Sequence, residues 1–543
     1  MSQRSVLLLI AAAIVAGLVG GSGAAAKPER QTAGTIVFIH DQEPPNLQDE
    51  WTGNNLYATS IVVNNIWYGC QIRNNVGKLI PRLCASKPKI IKRNPLTIRL
   101  TYKKSAVWSD GVPVTAKDLR ARWQAFVDPK NNPVSRTGWD QIQSISGNGK
   151  TATIVFKTRY GAWEATVSDA PYPAHIITGK NMNEMFLNDI PVSSGPWKFD
   201  SWQKGVQLTV VKNPRFKAGP PMKYDRVVFR YILDTNARFQ ALKAGEGQVM
   251  EPQPQLQIAD FTKDRNFEVQ RKIGFAWEHI DIQLGDKGHP ALKKRYVREA
   301  LITGMNRRQI ANALYGEIAP GLKPAQSHLF KPFEDTYQES FGRYKFSQQK
   351  VLNILTKNGC TGGPSKASAD NNDIFSCPGV GKLQFRFGTT TGNQLRALTF
   401  QIIQRQLKSV GIQLDAKFEV SGTLFGTTLP SRDWDLLMFT YVGTPDSPTT
   451  AKDIWACGGP QNYMTYCNQK ASKLLNRASV TLEAGPRAKM LNEAEGKYMA
   501  VDIPSIPVYA RPVFAIRSKK LAGPRLNPTN QGLPWNVEGW KAA

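Results

Sequence analysis

Little in this chain resembles the equipment of a catalyst. Its 543 residues include only five histidines, His40, His175, His279, His289 and His328, scattered with no metal-ligand spacing. The six cysteines form no C-x-x-C pair, which argues against a zinc site. There is no G-x-S-x-G, no phosphate-cradling P-loop and no H-E-x-x-H. Asp433, Asp435 and Asp446 make no acid/base pair on spacing alone. These absences point away from an enzyme, and neither cofactor nor metal is expected. Internal repeats and long low-complexity tracts are missing too. Long apolar runs are confined to the N-terminus, so nothing later in the chain is apolar enough to span a bilayer. With 41% hydrophobic and 21% charged residues the chain is globular, and its length allows two or three domains.

The single apolar run reads as an export signal. Arg4 supplies the positive start, Val6–Val19 the apolar stretch, and Ala24-Ala25-Ala26 an A-x-A cleavage site before Lys27. Residues 1–26 are therefore expected to be a signal peptide; an uncleaved anchor helix is the alternative. No cysteine lies near the end of the run, so lipoprotein processing is not supported. The protein is expected in the periplasm or at the outer face of the cytoplasmic membrane. The cysteines fit an oxidising compartment and fall as near neighbours: Cys70 and Cys84, Cys360 and Cys377, Cys457 and Cys467. Six cysteines allow fifteen connectivities. The local pairs close the shortest loops and are the expectation, with buried free thiols as the competing reading.

Acidic residues are scarce. Seventy Lys and Arg against 42 Asp and Glu give a net charge of +28. The basic residues are spread over Lys87–Arg93, Lys103-Lys104, Lys293–Arg295, Arg307-Arg308 and Arg517–Arg525, not gathered in one arm interleaved with aromatics. An exported protein rarely meets nucleic acid, so no nucleic-acid partner is expected. Attraction to the anionic envelope follows more directly, beside a merely general basic surface bias.

The most informative segment is Val107–Pro129, VWSDGVPVTAKDLRARWQAFVDP. Asp110-Gly111 is a turn pair. Thr115 caps a following helix, with Asp118 near the capping-box position. Leu119, Trp123, Phe126 and Val127 recur on one helical face, and Asp128-Pro129 stops it. Elsewhere Thr35–Phe38, Leu96–Leu100, Thr151–Phe156, Gln207–Val211 and Val227–Ile232 read as strands. A helix is expected from Leu56. Val297, Leu301 and Met305 line another helical face, and Asn306 caps the next helix with Gln309 at the capping-box position. Gly359–Gly379 reads as a stapled surface loop. Leu383–Phe387, a polar loop at Thr389–Gly392, a helix ending at Gly411 and a strand from Ile412 make an α/β unit.

The W-S-D-G-x-P-x-T-A-K-D segment resembles the marker of the extracytoplasmic solute-binding proteins of ABC importers, in the class that carries oligopeptides, dipeptides and nickel chelates. Pro191–Phe216, Tyr224–Gly245, Val297–Gly316, Asp433–Pro448 and Tyr466–Ala478 resemble further blocks of that family in its order. The resemblance implies an α/β protein with the two-lobe periplasmic-binding-protein (type II) fold and an extra domain inserted in the first lobe. Lobe I would comprise residues 32–66, 190–280 and 505–543, the insertion 67–189 and lobe II 281–504. Hinge closure would enclose a ligand in the cleft. The implied function is capture of an oligopeptide or peptide-like solute for an ABC importer. Its partners would be membrane permease subunits with the ATPase on a separate chain, and it would act as a monomer. The same fold with a non-peptide cargo (a sugar oligomer, a metal chelate, an opine-like molecule) stands beside it, as does an envelope adhesion or scavenging protein that has lost transport.

The resemblance also implies site residues. Peptide-binding relatives pair the α-ammonium with an aspartate, a few residues after a wall tryptophan. Asp435–Pro448 matches that stretch with Tyr441 at the tryptophan position and Thr444 at the aspartate position. Threonine offers a buried ammonium only a neutral acceptor. Either Asp446 takes over or the ligand is not an ordinary peptide. Trp51, Asn54, Asn55 and Tyr57 are expected on the opposite wall, with core packing the rival role for Trp51. Gly195 and Trp197 are expected where the chain crosses near the cleft, the glycine allowing close backbone approach.

Overall fold

The computed structural model describes residues 34–51, 56–441, 443–445 and 447–543. The signal segment 1–26, Asn54, Asn55 and Asp446 lie outside them.

Local chemistry explains the marker helix. It spans Ala116–Val127. The Thr115 side chain accepts from the Lys117 amide at 3.3 Å, and the Asp118 carboxylate accepts from the Thr115 amide at 2.7 Å, a reciprocal cap. Leu119 and Phe126 are buried, with Trp123 and Val127 packed beside them. Asp128 is extended ahead of Pro129 and ends the helix. Asn306 likewise caps the helix Arg307–Tyr315 by accepting from the Gln309 amide at 3.0 Å. The expected reciprocal arm is not made: the Gln309 side chain instead accepts from Gln406, and Gln406 accepts from the Asn306 amide.

One ten-stranded sheet runs through the molecule. Its early flank carries Trp197–Gln203, Gln207–Lys212, Arg226–Tyr231, Thr35–His40 and Val249–Met250. Its late flank carries Leu436–Tyr441, Gln384–Thr390 and Gln413–Glu419. Two long antiparallel strands join them, Phe267–Ile282 and Ser505–Ser518. Their register slips between Ile273 and Trp277, so the ladder is irregular at the crossing point. The lobe boundary expected between residues 280 and 281 thus falls inside one continuous strand, Phe267–Ile282. The expected polar loop at Thr389–Gly392 is also partly strand, because Gln384–Thr390 pairs in parallel with Gln413–Glu419 along its full length.

Residues 67–189 hold their own four-stranded antiparallel sheet, in the order Lys89–Arg93, Leu96–Thr101, Thr151–Phe156, Ile142–Ser146. A hairpin, Gln71–Arg73 with Leu79–Pro81, precedes it. The apolar core of this region is continuous with that around Thr35–His40. All three local disulfides are present: Cys70–Cys84, Cys360–Cys377 and Cys457–Cys467, with Cα separations of 4.6, 4.0 and 4.4 Å.

Candidate functional site

Strand periodicity builds the floor of the site. Leu436 and Met438 face one apolar layer, whereas Leu437, Phe439 and Tyr441 face the other. The neighbouring strand places Trp277 opposite Tyr441, His279 opposite Phe439 and Asp281 opposite Leu437. The same face therefore carries Tyr441, Trp277, His279 and Asp281. The Trp277 and Tyr441 rings lie 5.6 Å apart, and His279 stacks on Tyr441 at 4.4 Å and 8°. His279 and Asp281 are fully buried, 3.5 Å apart but without hydrogen-bond geometry.

Lys331 enters from a loop. Buried Glu495 fixes that loop: its carboxylate accepts from Ser327 Oγ and the His328 amide, both at 2.6 Å, and from Ser340 Oγ at 2.9 Å. The Lys331 amide donates to Glu334 at 2.6 Å, so its side chain turns inward. Lys331 Nζ then stands 3.8 Å from the centre of the Trp277 ring, a cation–π contact. The residue is 3% exposed. Burial pulls its pKa down to about 8, against the pull of Glu334 and Glu495. Lys331 Nζ, Trp277 Nε1 and the Tyr441 hydroxyl are all buried without a hydrogen-bond partner. Burial also holds Tyr441 well above the usual tyrosine range and His328 well below the usual histidine range.

The edge of this floor meets the early part of the chain. A Cβ on Gly443 would lie 2.5 Å from the Phe275 carbonyl and 2.9 Å from the Trp277 ring, so only glycine lets the chain leave the strand there. The turn of the Gln71–Pro81 hairpin comes down on the same place. A Cβ on Gly77 would meet Pro445 at 3.1 Å and Phe275 at 3.2 Å. Lys272 donates to the Asn75 carbonyl. Further off, the Gly161 amide donates to the Ser479 carbonyl at 2.8 Å, and Arg93 pairs with Glu483. Residues 67–189 thus touch the late half at two places.

The sequence-derived residues separate. Tyr441 is on the floor, and Thr444 is half-buried in the segment that follows. Tyr57 opens the helix Tyr57–Ile66. Burial, with Glu251 nearby, raises its pKa, and burial lifts Glu251 itself to about 7. Trp51 presents no open face: it is 2% exposed, edge-on to Phe126 at 5.0 Å and close to Tyr172. Trp197 is core as well, at 1% exposed. Gly195 does admit a close backbone, but that of the helix end. Its amide donates to the Ile66 carbonyl at 2.7 Å, and a Cβ would lie 2.3 Å from the Asn65 carbonyl. Sequence reasoning missed Trp277, His279, Asp281 and Lys331. Their meeting depends on strand register and on the Glu495 anchor, which no local pattern announces. Among the described residues, no three or more His, Cys, Asp and Glu are placed to hold a metal ion.

Two flanks of one α/β sheet, crossed by paired long strands and accompanied by the separate four-stranded sheet of residues 67–189, make a two-lobe fold of the periplasmic-binding-protein type. The chain belongs to the bacterial extracellular solute-binding proteins, family 5, whose middle region matches residues 78–464. It is 22% identical over 527 residues to the oligopeptide-binding protein OppA of Mycobacterium tuberculosis (strain ATCC 25618 / H37Rv), covering 90% of this chain and 85% of that one. Its fold is similar to the periplasmic EDTA-binding protein EppA, with a TM-score of 0.82 at 21% identity over 94% of this chain and 96% of that one. It is also similar to the oligopeptide-binding protein AppA of Bacillus subtilis in complex with a nonapeptide, with a TM-score of 0.72 at 21% identity over 94% and 99%. No helix among the described residues is long and apolar enough to cross a membrane.

Proposed function

We propose that this solute-binding protein captures an oligopeptide or peptide-like solute outside the cytoplasmic membrane and hands it to the permease of an ABC importer. The observation that carries the reading is the meeting of the 71–81 hairpin with the Trp277–Tyr441 floor. It gives a ligand two walls that come from different parts of the chain. Lobe I would be 32–66, 190–280 and 505–543, the insertion 67–189 and lobe II 281–504. Cargo would lie between the lobes, against Tyr441, Thr444 and Asp446 on one side and the Asn54–Tyr57 segment on the other. The ATPase would be a separate chain, the signal peptide would be cleaved after Ala26 without lipidation, and the protein would work as a monomer. Calorimetry with free-amine peptides and their N-acetylated twins tests the cargo. Binding of either set supports peptide capture, and binding of neither removes it.

A second reading has its own observation. Thr444 stands where a carboxylate would receive a peptide amine, and the late wall offers Lys331 Nζ, Trp277 Nε1 and the Tyr441 hydroxyl as unmatched donors, its own buried carboxylate, Asp281, lying 3.5 Å from His279. The same fold and transport role with a non-peptide cargo, such as a metal chelate or an opine-like molecule, fits that wall as well.

A further inference from the structure

We propose that Lys331, with the Tyr441 hydroxyl, receives a carboxylate of the cargo, which in a peptide is the terminal carboxylate. The proposal rests on the reading of this cleft as the solute site. A buried ammonium normally has an anion beside it, because leaving water costs it several kcal/mol. Lys331 Nζ has no hydrogen-bonding partner; its nearest compensation is the Trp277 ring at 3.8 Å. Glu495, the buried carboxylate that anchors its loop, is already occupied by Ser327, Ser340 and the His328 amide. Two more unmatched polar atoms at the same ring, Trp277 Nε1 and the Tyr441 hydroxyl, can both donate, and with Lys331 Nζ they suit an anion with more than one acceptor. The buried carboxylate of this face, Asp281, lies 3.5 Å from His279 Nε2. A carboxylate is planar, has two oxygens and forms charge-assisted hydrogen bonds roughly twice as strong as neutral ones. Position agrees with chemistry: the floor ends at Gly443 and Pro445, where the Gly77 turn of the early hairpin arrives. A solute there would contact both halves of the chain.

Full-length disulfide-bonded protein is assayed by calorimetry as wild type, Lys331→Met and Tyr441→Phe. The probes are short oligopeptides free of Asp and Glu, the same peptides amidated at the C-terminus, and EDTA as a non-peptide polycarboxylate. Wild type should bind free acids at least about tenfold more tightly than amides. Lys331→Met should lose that preference while binding amides as wild type does, and Tyr441→Phe, which keeps the ring stack, should lose part of it. Retained amide binding shows that the methionine variant is folded. Equal binding of acids and amides by wild type, or full acid preference in Lys331→Met, overturns the carboxylate site and leaves peptide capture standing. Lys331-dependent binding of EDTA with no peptide bound supports the carboxylate site and overturns the peptide reading. No binding of any probe to wild type overturns both.

Discussion

Lys331 sets the chemistry of the site at the scale of single residues. Burial lowers its pKa from 10.5 to about 8. The folded protein therefore still holds the ammonium below that pH, but at a cost relative to the unfolded chain. The penalty is fully present below about pH 8 and fades as the pH rises toward 10.5, because the unfolded chain then binds more protons than the folded one. Ligand-free Lys331→Met should thus melt above wild type at pH 7, and the gap should shrink by pH 10. A gap that does not narrow would mean that the lysine is hydrated in solution. Carboxylate binding has the opposite requirement, since it needs the ammonium. Affinity for free-acid peptides should be flat below about pH 8 and fall above it, by up to tenfold per pH unit. The other charged or titratable groups around this face are Glu334, Glu495, His279, Asp281, His328 and Tyr441. His328 is held neutral and Tyr441 protonated across that window, so the lysine dominates the change. If amine capture also operates, Asp446→Asn should weaken binding of free-amine peptides and spare N-acetylated ones. Acetylation-sensitive binding that survives the substitution would point to another carboxylate.

Elements with local causes were readable in the sequence, and those with distant causes were not. The helix Ala116–Val127 was legible because its cap, apolar stripe and stop lie within twenty residues of one another. The strand Thr151–Phe156 was legible from alternation, and the three disulfides from short loops that cost little entropy to close. The strand Phe267–Ile282 was not. Its late half is buried on both faces, so alternation gives way to Trp277, Glu278, His279 and Asp281 in near succession. Lys331 was hidden for the same reason, since its loop is shaped by Glu495, more than 160 residues later. Gly195, expected near the cleft, makes its close backbone approach to the end of the helix Tyr57–Ile66. Gly195→Ala should therefore cost stability on the scale of overpacking, about 1–3 kcal/mol, with ligand affinity per folded molecule unchanged. Denaturant melts with calorimetry on the folded fraction would check this, and a loss of affinity at wild-type stability would return the glycine to the binding site. Removing one disulfide, as in Cys70→Ala with Cys84→Ala, should cost about 2–4 kcal/mol, read from the same melts.

For the molecule as a whole, closure is the behaviour to expect. Hairpin residues Asn75 and Gly77 touch Lys272, Phe275 and Pro445, while Gly161 and Arg93 touch Ser479 and Glu483. These contacts combine polar pairs with the apolar meeting of Gly77, Phe275 and Pro445. Surface pairs of the Arg93–Glu483 kind contribute only about 0–1 kcal/mol, so a solute bridging the halves would shift the balance between open and closed forms. Small-angle scattering should show compaction with saturating ligand, and an unchanged radius would count against a clamp. A net charge of +28 gives long-range attraction for anions in general, which salt screens over about 8–10 Å. The most direct test of solute capture is mass spectrometry of whatever is released on denaturation from protein purified natively from its own envelope. The account predicts a carboxylate-bearing peptide or peptide-like solute, approaching one per chain and depleted in Lys331→Met. A solute without an acid group, or none in protein that is otherwise folded, would contradict it.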